Sequence, residues 1–363
     1  MPVIWCSLSS HGFGHGAQIV PILNELGRRY SHLHVLLRTN IPKEFFDARM
    51  TVNWEMSPAS QDIGCVQRGP LTIDAGQTWL AYEQFHAHWD EKVRLEAKAI
   101  QVYHPDMVMS NISYLGIEAG KQAGIPTVAV GSLSWDQVLI PFLSDAPMKQ
   151  EEIIRHIQRS YSRADLMIRL HPGISMPAFP HIHDVGPIYA SSPICVEPIR
   201  TFLGLGPQEK MVLVALGGIP LDQVPIEPLE QLSGYHVLVG GSSDRYESSR
   251  VRPTNSLPFS FQQILTAADI IITKPGYATV IEAVQYGIPL VYVRRNNFID
   301  EQGLVDYAHH YGRALEISME HFVAGKWKEA LDAVQVLPRS HACPPPSGVG
   351  KAADELGQWL KNS

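Results

Sequence analysis

The sequence predicts an α/β protein of two Rossmann-like, doubly wound domains that face each other across a cleft. Short apolar runs alternate with stretches of helical spacing in both halves of the chain, and several runs are followed directly by a glycine-containing loop. A length of 363 residues favours two domains over one. Strand–helix repeats with short connections give a parallel sheet covered by helices, and ligands bind such sheets at the carboxyl ends of the strands.

The first half contains four apolar runs that predict buried strands: Val3–Leu8, His34–Arg38, Asp106–Ser110 and Pro126–Gly131. A turn is predicted at Ser9–Gly16, and helical spacing starts at Ile19. Further helices are predicted at Tyr82–Tyr103 and Leu115–Ala123. The order strand, helix, strand predicts a parallel sheet for this half.

The pattern restarts in the second half, where the predicted strands are Met211–Leu216, Tyr235–Val239, Ile270–Thr273 and Leu290–Val293. Helices are predicted at Ser260–Ala268, Thr279–Tyr286 and Lys351–Lys361. The Pro-, Ser- and Gly-rich segment His183–Pro198 is typical of a linker. We therefore predict an N-terminal domain at 1–188, a C-terminal domain at 189–345, and a last helix within 346–363 that could cross back to the first domain.

Composition argues against several classes of protein. Charged residues make up 18% of the chain and apolar residues 45%, so extensive disorder is not expected. The formal charge of −7, without a long basic run, argues against nucleic acid as a partner. The 4 cysteines form no Cys-x-x-Cys pair, which argues against a zinc site and a disulfide framework. The sequence has no signal-peptide pattern and no apolar run of about 18 residues, so a cytoplasmic protein without a membrane span is expected.

A glycine loop with two histidines, Ser9-Ser10-His11-Gly12-Phe13-Gly14-His15-Gly16, follows the first predicted strand. Glycines allow close backbone approach, and a histidine at the carboxyl end of a strand would face the cleft. The ordinary pKa of histidine suits a general base, so His15 and, in reserve, His11 are candidate catalytic residues. The alternative is a tight turn with two solvent-exposed histidines. The glycine spacing does not match a dinucleotide fingerprint.

The segment Ile271–Gln302 carries a second candidate site. It reads as a strand, a glycine-containing loop, a helix with one glutamate, a Gly-x-Pro turn and another strand. A helix N-terminus behind a glycine loop favours a diphosphate, because free N–H groups and the helix dipole both attract an anion. Lys274 and Thr279 would add a charge and a hydroxyl there, and Glu282 could bind two ribose hydroxyls.

The end of the same segment has two interpretations. Glu301 and Gln302 could bind the hydroxyls of a sugar, which would complete the order phosphate, ribose, sugar. Alternatively the loop is ordinary architecture and Glu282 is a solvated helix residue. Arg294 and Arg295 could form a solvated loop face, and they are not included in the candidate site.

Two more glycine loops follow predicted strands of the second half, at Leu216-Gly217-Gly218 and Gly240-Gly241-Ser242-Ser243. Each alone is an ordinary strand-to-helix turn. Three such loops in one half of the chain predict an edge that faces the cleft and binds a ligand.

Together these motifs resemble the two-domain GT-B glycosyltransferases, which include plant and microbial UDP-sugar-dependent transferases. Gly14-His15 matches the Gly-His that follows their first strand, and the resemblance implies that His15 deprotonates an acceptor. Lys274 stands where the plant enzymes carry a phosphate-binding histidine. The donor-binding residues that the resemblance and the glycine loops imply are Gly217, Gly218, Gly241, Lys274, Gly276, Tyr277, Thr279, Glu282, Glu301 and Gln302.

The chain is also similar to the N-terminal half of L-arabinokinase-type proteins of bacteria and plants, a half that is a glycosyltransferase-like domain. Those proteins carry HGFGHA-type loops, a segment similar to Asp62–Arg68, and an SW motif like Ser134-Trp135-Asp136. The sequence contains no Gly-x-x-x-x-Gly-Lys-Ser/Thr motif, so sugar phosphorylation is not predicted.

Three positions depart from the glycosyltransferase pattern. Asn111 stands where many transferases pair their histidine with an aspartate. Asparagine can orient an imidazole but cannot stabilise imidazolium by charge, so a weaker base is expected, with Asp136 as a candidate substitute. Gln18 replaces a proline or arginine, and Ala278 replaces an asparagine of the plant enzymes.

The resemblance implies transfer of a sugar from a nucleoside diphosphate-sugar, most simply a UDP-sugar, to an unknown small-molecule or glycan acceptor. The helix that starts near Ala278 and the Lys274 ammonium would stabilise the leaving diphosphate, so no metal is required, and the sequence has no Asp-x-Asp motif. The alternatives are a nucleotide-sugar hydrolase or 2-epimerase, a non-catalytic nucleotide-sugar-binding protein, and a structural α/β protein.

Overall fold

The computed structural model describes residues 1–145, 147–217, 225–241, 248–295 and 297–360. Two parallel sheets, one from each half of the chain, confirm the predicted α/β class. Their central strands are rich in Val, Ile and Leu and are buried along their whole length, as in Ile270–Thr273. This burial is what helices on both faces of a parallel sheet produce.

The strands of the first sheet are β1 (Val3–Leu8), β2 (His34–Arg38), β3 (Asn53–Ser57), β6 (Met107–Asn111), β7 (Thr127–Gly131), β8 (Leu166–Leu170) and β9 (Ile182–Val185). A short hairpin, β4 (Gln67–Arg68) and β5 (Thr72–Ile73), stands apart from this sheet. The spatial order is β3-β2-β1-β6-β7-β8-β9. The order reverses beside β1, so the loops after β1 and β6 flank a switch point where ligands bind.

The strands of the second sheet are β10 (Lys210–Ala215), β11 (Tyr235–Val239), β12 (Val251–Pro253), β13 (Ile270–Thr273), β14 (Leu290–Tyr292) and β15 (Ala314–Glu316). The spatial order is β12-β11-β10-β13-β14-β15. Here the switch point lies between β10 and β13, which places the loops at Gly217 and Lys274 side by side.

The helices of the first half are α1 (Phe13–Arg29), α2 (Lys43–Asp47), α3 (Ala75–His86), α4 (Trp89–Tyr103), α5 (Tyr114–Ala123), α6 (Trp135–Leu139) and α7 (Met148–Tyr161). Those of the second half are α8 (Val196–Leu203), α9 (Ile226–Glu230), α10 (Phe261–Ala267), α11 (Tyr277–Tyr286), α12 (Glu301–Tyr311), α13 (Met319–Val323), α14 (Lys328–Val336) and α15 (Gly348–Gly357). Short 3₁₀ turns lie at Ile140–Phe142 and Thr254–Ser256.

Two local predictions were wrong. The turn predicted at Ser9–Gly16 ends at Gly12, whose φ of 83° closes it, and α1 begins at Phe13, so His15 lies in the first helical turn. The single helix predicted at Tyr82–Tyr103 is two helices, because the chain leaves helical geometry at His88 (φ −125°, ψ 40°). Asp90 and Glu91 then start α4, where acidic side chains favour a helix N-terminus.

The last helix packs against the first. Arg29 of α1 forms an ion pair with Asp354 of α15, and the Tyr30 hydroxyl donates to the Gly357 carbonyl at 3.3 Å. A side chain at Gly348 would collide with the Gly186 carbonyl, since an added Cβ would lie 2.1 Å from that oxygen. The C-terminal helix therefore contacts the half of the molecule that carries the first sheet.

None of the helices in the described parts of the chain is both long and apolar enough to cross a membrane.

Candidate functional site

A cavity of about 440 Å³ lies between the two sheets, at the carboxyl ends of their strands. The first half lines it with residues 11–15, 17, 18, 42, 44, 45, 49, 132 and 133. The second half lines it with residues 215–217, 240, 241, 254, 261, 262, 273, 274, 276–279, 282, 295, 298 and 300. Both switch points open into this cavity, which makes it the candidate site.

His15 is buried in the wall that the first half provides, and its tautomer is fixed by Asn111. Its Nδ1 lies 2.7 Å from Asn111 Oδ1. The Asn111 amide donates through Nδ2 to the carbonyl of Val130 at 2.8 Å, and a carbonyl can only accept, so Oδ1 must face the imidazole. The neutral ring therefore carries its proton on Nδ1 and leaves Nε2 free to accept one.

The surroundings of His15 keep its ring neutral. Burial lowers the pKa of His15 to about 4, and the hydrogen bond to Asn111 offsets only part of that effect. This is the direction expected when asparagine, rather than aspartate, stands behind the ring, because an amide gives imidazolium no opposite charge.

Gln18 is a member of the same network that sequence reasoning recorded only as a departure from the family pattern. Its Nε2 donates to Ser132 Oγ at 2.9 Å, and its Oε1 accepts from Asn111 Nδ2 at 3.3 Å. Gln18 thus ties the Asn111 amide to the loop after β7. Its spacing of three residues from His15 on one helix was the signal that could have found it.

The suggestion that Asp136 could replace the missing aspartate is wrong. The Asp136 carboxylate accepts from Gln137 Nε2 at 2.9 Å and from Gln158 Nε2 at 3.4 Å, and it does not line the cavity. Its neighbour Trp135 packs behind the two histidines instead, because successive helical residues point about 100° apart. The Trp135 ring lies 5.3 Å from His11 and 5.7 Å from His15 between centroids.

His11 lines the cavity beside His15, with 6.4 Å between ring centroids. Its Nδ1 accepts a hydrogen bond from the backbone N–H of Cys65 at 3.3 Å. Burial lowers the pKa of His11 well below its ordinary value, and the nearby His15, Lys274 and Arg295 act in the same direction.

The opposite wall of the cavity is the N-terminus of α11. Gly276 precedes the helix without a side-chain cap, so the N–H groups of the first turn have no side-chain partner. Lys274 and Thr279 line the cavity beside them. Burial lowers the pKa of Lys274 to about 7, with Arg295 adding to the effect, and the ammonium donates to the Pro70 carbonyl at 3.2 Å. The structure thus brings together the three features expected of an anion site.

Arg295 is a site residue that the sequence interpretation missed, and its assignment to a solvated loop face was wrong. It is buried and lines the cavity, with Nε donating to Glu301 at 2.6 Å and Nη2 donating to the Pro275 carbonyl at 3.2 Å. Its guanidinium lies 3.7 Å above the Phe298 ring centroid. Arg294 does sit in a partly exposed ion pair, with Glu316.

Glu301 and Gln302 do not line the cavity, contrary to the expectation that they would contact a sugar. The Glu301 carboxylate is bound by Arg295, and Gln302 is at the surface, where it accepts from Arg294 at 3.2 Å. Asp300 takes their place in the lining. Burial raises the pKa of Asp300 to about 6, although Arg295 and Lys274 oppose the shift.

Glu282 is buried in the lining of the cavity and is not a solvated helix residue. Its Oε1 accepts from Gln262 Nε2 at 3.1 Å, and Arg49 of the first half donates to Gln262 Oε1 at 3.0 Å. Burial raises the pKa of Glu282 to about 7, against smaller effects of Gln262 and Arg49. A carboxylate held in this way offers acceptors to a pair of ligand hydroxyls.

The remaining predicted donor residues fall into three groups. Gly217 and Gly241, each with a φ of 75°, line the cavity together with Gly276. The Tyr277 ring also lines it, but the hydroxyl is engaged elsewhere, since it donates to the His171 carbonyl at 3.0 Å and accepts from the Ile188 N–H at 3.1 Å. Gly218 lies outside the described residues.

No protein-family model matches the chain. L-arabinokinase of Arabidopsis thaliana is 27% identical over 338 residues, which is 91% of this chain and 32% of that protein. The chain therefore spans about a third of the length of this curated relative, and the similarity to arabinokinase-type proteins inferred from the motifs is confirmed.

Solved glycosyltransferases share the architecture over nearly the whole chain. The calicheamicin glycosyltransferase CalG4 aligns with a TM-score of 0.64 and 16% identity, covering 99% of this chain and 98% of that one. UGT89C1 of Arabidopsis thaliana, complexed with quercetin, aligns with a TM-score of 0.64 and 13% identity, and the alignment covers 99% of both chains. UGT2 of Phytolacca americana, complexed with UDP-2fluoro-glucose and pterostilbene, aligns with a TM-score of 0.60 and 15% identity. The alignment covers 99% of this chain and 94% of that one. The protein therefore has the GT-B fold of these glycosyltransferases.

Proposed function

We propose that this protein transfers a sugar from a nucleoside diphosphate-sugar, with a UDP-sugar as the first candidate, to a small-molecule or glycan acceptor. One observation carries the proposal. A single cavity has on one wall a neutral histidine whose Nε2 accepts a proton, and on the facing wall an uncapped helix N-terminus beside the buried basic side chains of Lys274 and Arg295. Glycosyl transfer needs a base for the acceptor and an electrostatic partner for the leaving diphosphate.

The second half would bind the donor. The first-turn N–H groups of α11, the Thr279 hydroxyl and the Lys274 ammonium would hold the diphosphate, and Glu282 would accept hydrogen bonds from the ribose hydroxyls. Arg295 and Asp300 line the cavity where the donor sugar would leave the diphosphate. These cations and N–H groups favour departure of the diphosphate because negative charge develops on it in the transition state.

The first half would bind the acceptor. His15 Nε2 would take the proton from the attacking atom while Asn111 holds Nδ1–H in place. The lining on this side includes the apolar side chains of Phe13, Phe45 and Leu133, which suit an acceptor that has an apolar face.

The relatives support this choice of substrates. UGT2 of Phytolacca americana has been solved in complex with UDP-2fluoro-glucose and pterostilbene, and UGT89C1 has been solved with UDP and with quercetin. We extend from them to this chain a uridine donor and a small-molecule acceptor. We also propose that transfer needs no divalent metal, since Arg295 and, once a diphosphate binds, the Lys274 ammonium would place positive charge beside the helix N-terminus.

Titration calorimetry with UDP, dTDP, GDP and CDP tests the donor site. We expect one nucleotide, UDP first, to bind with micromolar affinity in the presence of EDTA, and Glu282→Gln to weaken it at least tenfold. Glu227→Gln, at an exposed position of the same half, is the matched control and should bind as the unchanged protein does. No binding of any nucleotide would overturn the proposal.

Turnover of the matching nucleotide-sugar then separates the alternative activities. Nucleotide release that requires an added acceptor supports transfer. Release at the same rate in water alone indicates a hydrolase, and a new sugar epimer indicates a 2-epimerase. Tight binding without turnover indicates a non-catalytic nucleotide-sugar-binding protein.

A further inference from the structure

The ring of His11 packs against the loop that contains Gly64 and Cys65. The Cys65 backbone N–H donates to Nδ1 of His11 at 3.3 Å. The backbone comes this close only because residue 64 is glycine, with a φ of 67°, and an added Cβ would lie 2.6 Å from atoms of the imidazole. A backbone N–H can only donate, so Nδ1 carries the lone pair and the neutral ring carries its proton on Nε2.

A second set of contacts fixes the position of the His11 ring. Trp135 meets the His11 ring edge-on, at 89° and 5.3 Å between centroids. The indole N–H donates to Asp62 at 2.9 Å, and Ser9 donates to the other oxygen of the same buried carboxylate at 3.0 Å. Ser9 in turn accepts from the His11 backbone N–H at 3.3 Å. These contacts give a structural role to Asp62, Gly64 and Cys65 and to Trp135 of the Ser-Trp motif.

The two histidines of the cavity therefore have opposite tautomers. His15 has its proton on Nδ1 and presents Nε2 as an acceptor, whereas His11 has its proton on Nε2 and presents a donor. Both rings line the same cavity. Burial lowers the pKa of both rings, so neither becomes a cation near neutral pH.

We propose that His11 and His15 hold the nucleophilic oxygen of the acceptor between them, so that the acceptor group is a neutral hydroxyl. The hydroxyl donates its hydrogen to His15 Nε2 and accepts a hydrogen bond from His11 Nε2–H. This inference rests on the proposed function and names the acceptor class of the same site. His11 is then a binding residue for the acceptor and not a second base.

The chemistry of the step suits a hydroxyl and disfavours a protonated amine. The oxygen forms a bond to the anomeric carbon as the bond from that carbon to the diphosphate oxygen breaks, its proton passes to His15 Nε2, and His11 keeps its own proton. A protonated amine has no lone pair for the His11 N–H. A protonated amine would also bring positive charge towards Lys274 and Arg295, which lie close enough to His11 to lower its pKa.

Nitrogen NMR of the full chain, labelled with ¹⁵N-histidine, tests the tautomers directly. His11→Gln and His15→Gln assign the two pairs of signals. We expect His11 with its proton on Nε2 and His15 with its proton on Nδ1 near pH 7. A His11 signal that shows the Nδ1–H tautomer, or an imidazolium, would overturn the proposal, and this measurement needs neither a donor nor turnover.

Titration with phenol, with toluene as the matched control without a hydroxyl, tests the pairing. Phenol should shift the Nε2 signals of both histidines, and toluene should shift neither in the same way. His11→Ala should weaken phenol binding roughly fivefold to tenfold, the cost of one neutral hydrogen bond, and His11→Gln should recover part of it because its amide N–H can donate.

The same titration identifies the competing assignment of the His11 N–H. A His11 shift caused by UDP but not by phenol would assign that N–H to the leaving phosphate and overturn the proposal. UDP affinity is measured independently, so failure of the donor site and failure of the histidine pair are distinguishable.

Discussion

Asn111 fixes the tautomer of His15 and partly offsets the effect of burial on its pKa, and Asn111→Asp separates the two effects. A carboxylate would still accept the Nδ1–H and would stabilise imidazolium, so the pKa of His15 should rise from about 4 towards or above its ordinary value of 6.5. The same change removes the N–H that Asn111 donates to the Val130 carbonyl and sets two acceptors against each other. The free energy of unfolding should therefore fall by about 1–3 kcal/mol. Histidine ¹⁵N shifts across pH and denaturant midpoints measure the two effects.

The sign of the pH dependence gives a further check on this variant. In the natural chain the unfolded state binds more protons at His15 between about pH 4 and 6.5, so the contribution of His15 to stability is present above 6.5 and is lost as the pH falls towards 4. In Asn111→Asp that loss should shrink or reverse. An unchanged His15 pKa would contradict the role assigned to Asn111.

Lys274 predicts proton uptake when a diphosphate binds. Its pKa is lowered from 10.5 to about 7, mainly by burial, so most molecules carry a neutral amine at roughly pH 8. A bound diphosphate stabilises the ammonium, so binding of UDP should be accompanied by uptake of close to one proton by Lys274. The affinity for UDP should therefore fall as the pH rises above 7. Calorimetry in two buffers of different ionisation enthalpy measures the uptake. Lys274→Met should abolish it, and equal heats for the natural chain in both buffers would refute the prediction.

At the scale of elements, the N-terminus of α11 belongs both to the fold and to the proposed diphosphate site. Ala278 lines the cavity in the first turn of the helix. Ala278→Glu should stabilise the free protein by about 0.3–1 kcal/mol through the helix dipole. The same carboxylate should repel a diphosphate and weaken UDP binding at least tenfold. Thermal unfolding should show the gain in stability, and calorimetry should show the loss of UDP affinity.

Ala278→Gln is the control for that variant, because it has nearly the same size without the charge. It should leave both the stability and most of the UDP affinity in place. Equal UDP affinities for the Glu and Gln variants would mean that no anion binds at this end of α11.

The sequence predicted those elements whose signal is local. β1, β2, β11 and β13 have the bounds that their apolar runs indicated, because strands buried on both faces read as continuous hydrophobic segments. β3 was missed because it lies at the edge of its sheet, where its residues alternate between half-buried and exposed. The loops at the carboxyl ends of the strands located the cavity, and the resemblance to glycosyltransferases indicated Asn111 as the partner of His15.

Residues whose environment depends on how a loop or a short helix is oriented were not predictable in this way. Arg295 follows another arginine in a loop and reads as solvated, yet Glu301 and the Pro275 carbonyl fix it inside the cavity. The same contact removes Glu301 from the sugar position that its sequence neighbourhood suggested. Asp136 and Trp135 are adjacent in sequence, and only the direction of a short helix decides which of them faces the histidines.

At the scale of the whole molecule, the two halves are joined by contacts that border the cavity. The β4–β5 hairpin of the first half turns at Gly69, with a φ of 67°, and reaches the second sheet. Its Leu71 is buried in the core of that sheet with Val212 and Val214, and its Pro70 carbonyl accepts from Lys274. Elsewhere on the lining, the Tyr277 hydroxyl binds the backbone of His171 and Ile188. The burial that shifts the titrating groups is therefore a property of the assembled halves.

Leu71→Ala tests whether the hairpin is what buries Lys274. Loss of a buried leucine should lower the free energy of unfolding by about 2–4 kcal/mol, and hydrogen exchange of residues 67–73 should accelerate while β1 and β2 keep their protection. With the hairpin loosened, Lys274 meets more water, its pKa rises from about 7 towards 10.5, and the proton uptake on UDP binding at roughly pH 8 should shrink. Leu80→Ala, at a side chain that is 46% exposed, should leave stability and uptake unchanged. If Leu71→Ala destabilises the protein but preserves the uptake, the depressed pKa of Lys274 comes from Arg295 and the second half alone, and the hairpin serves only to hold the halves together.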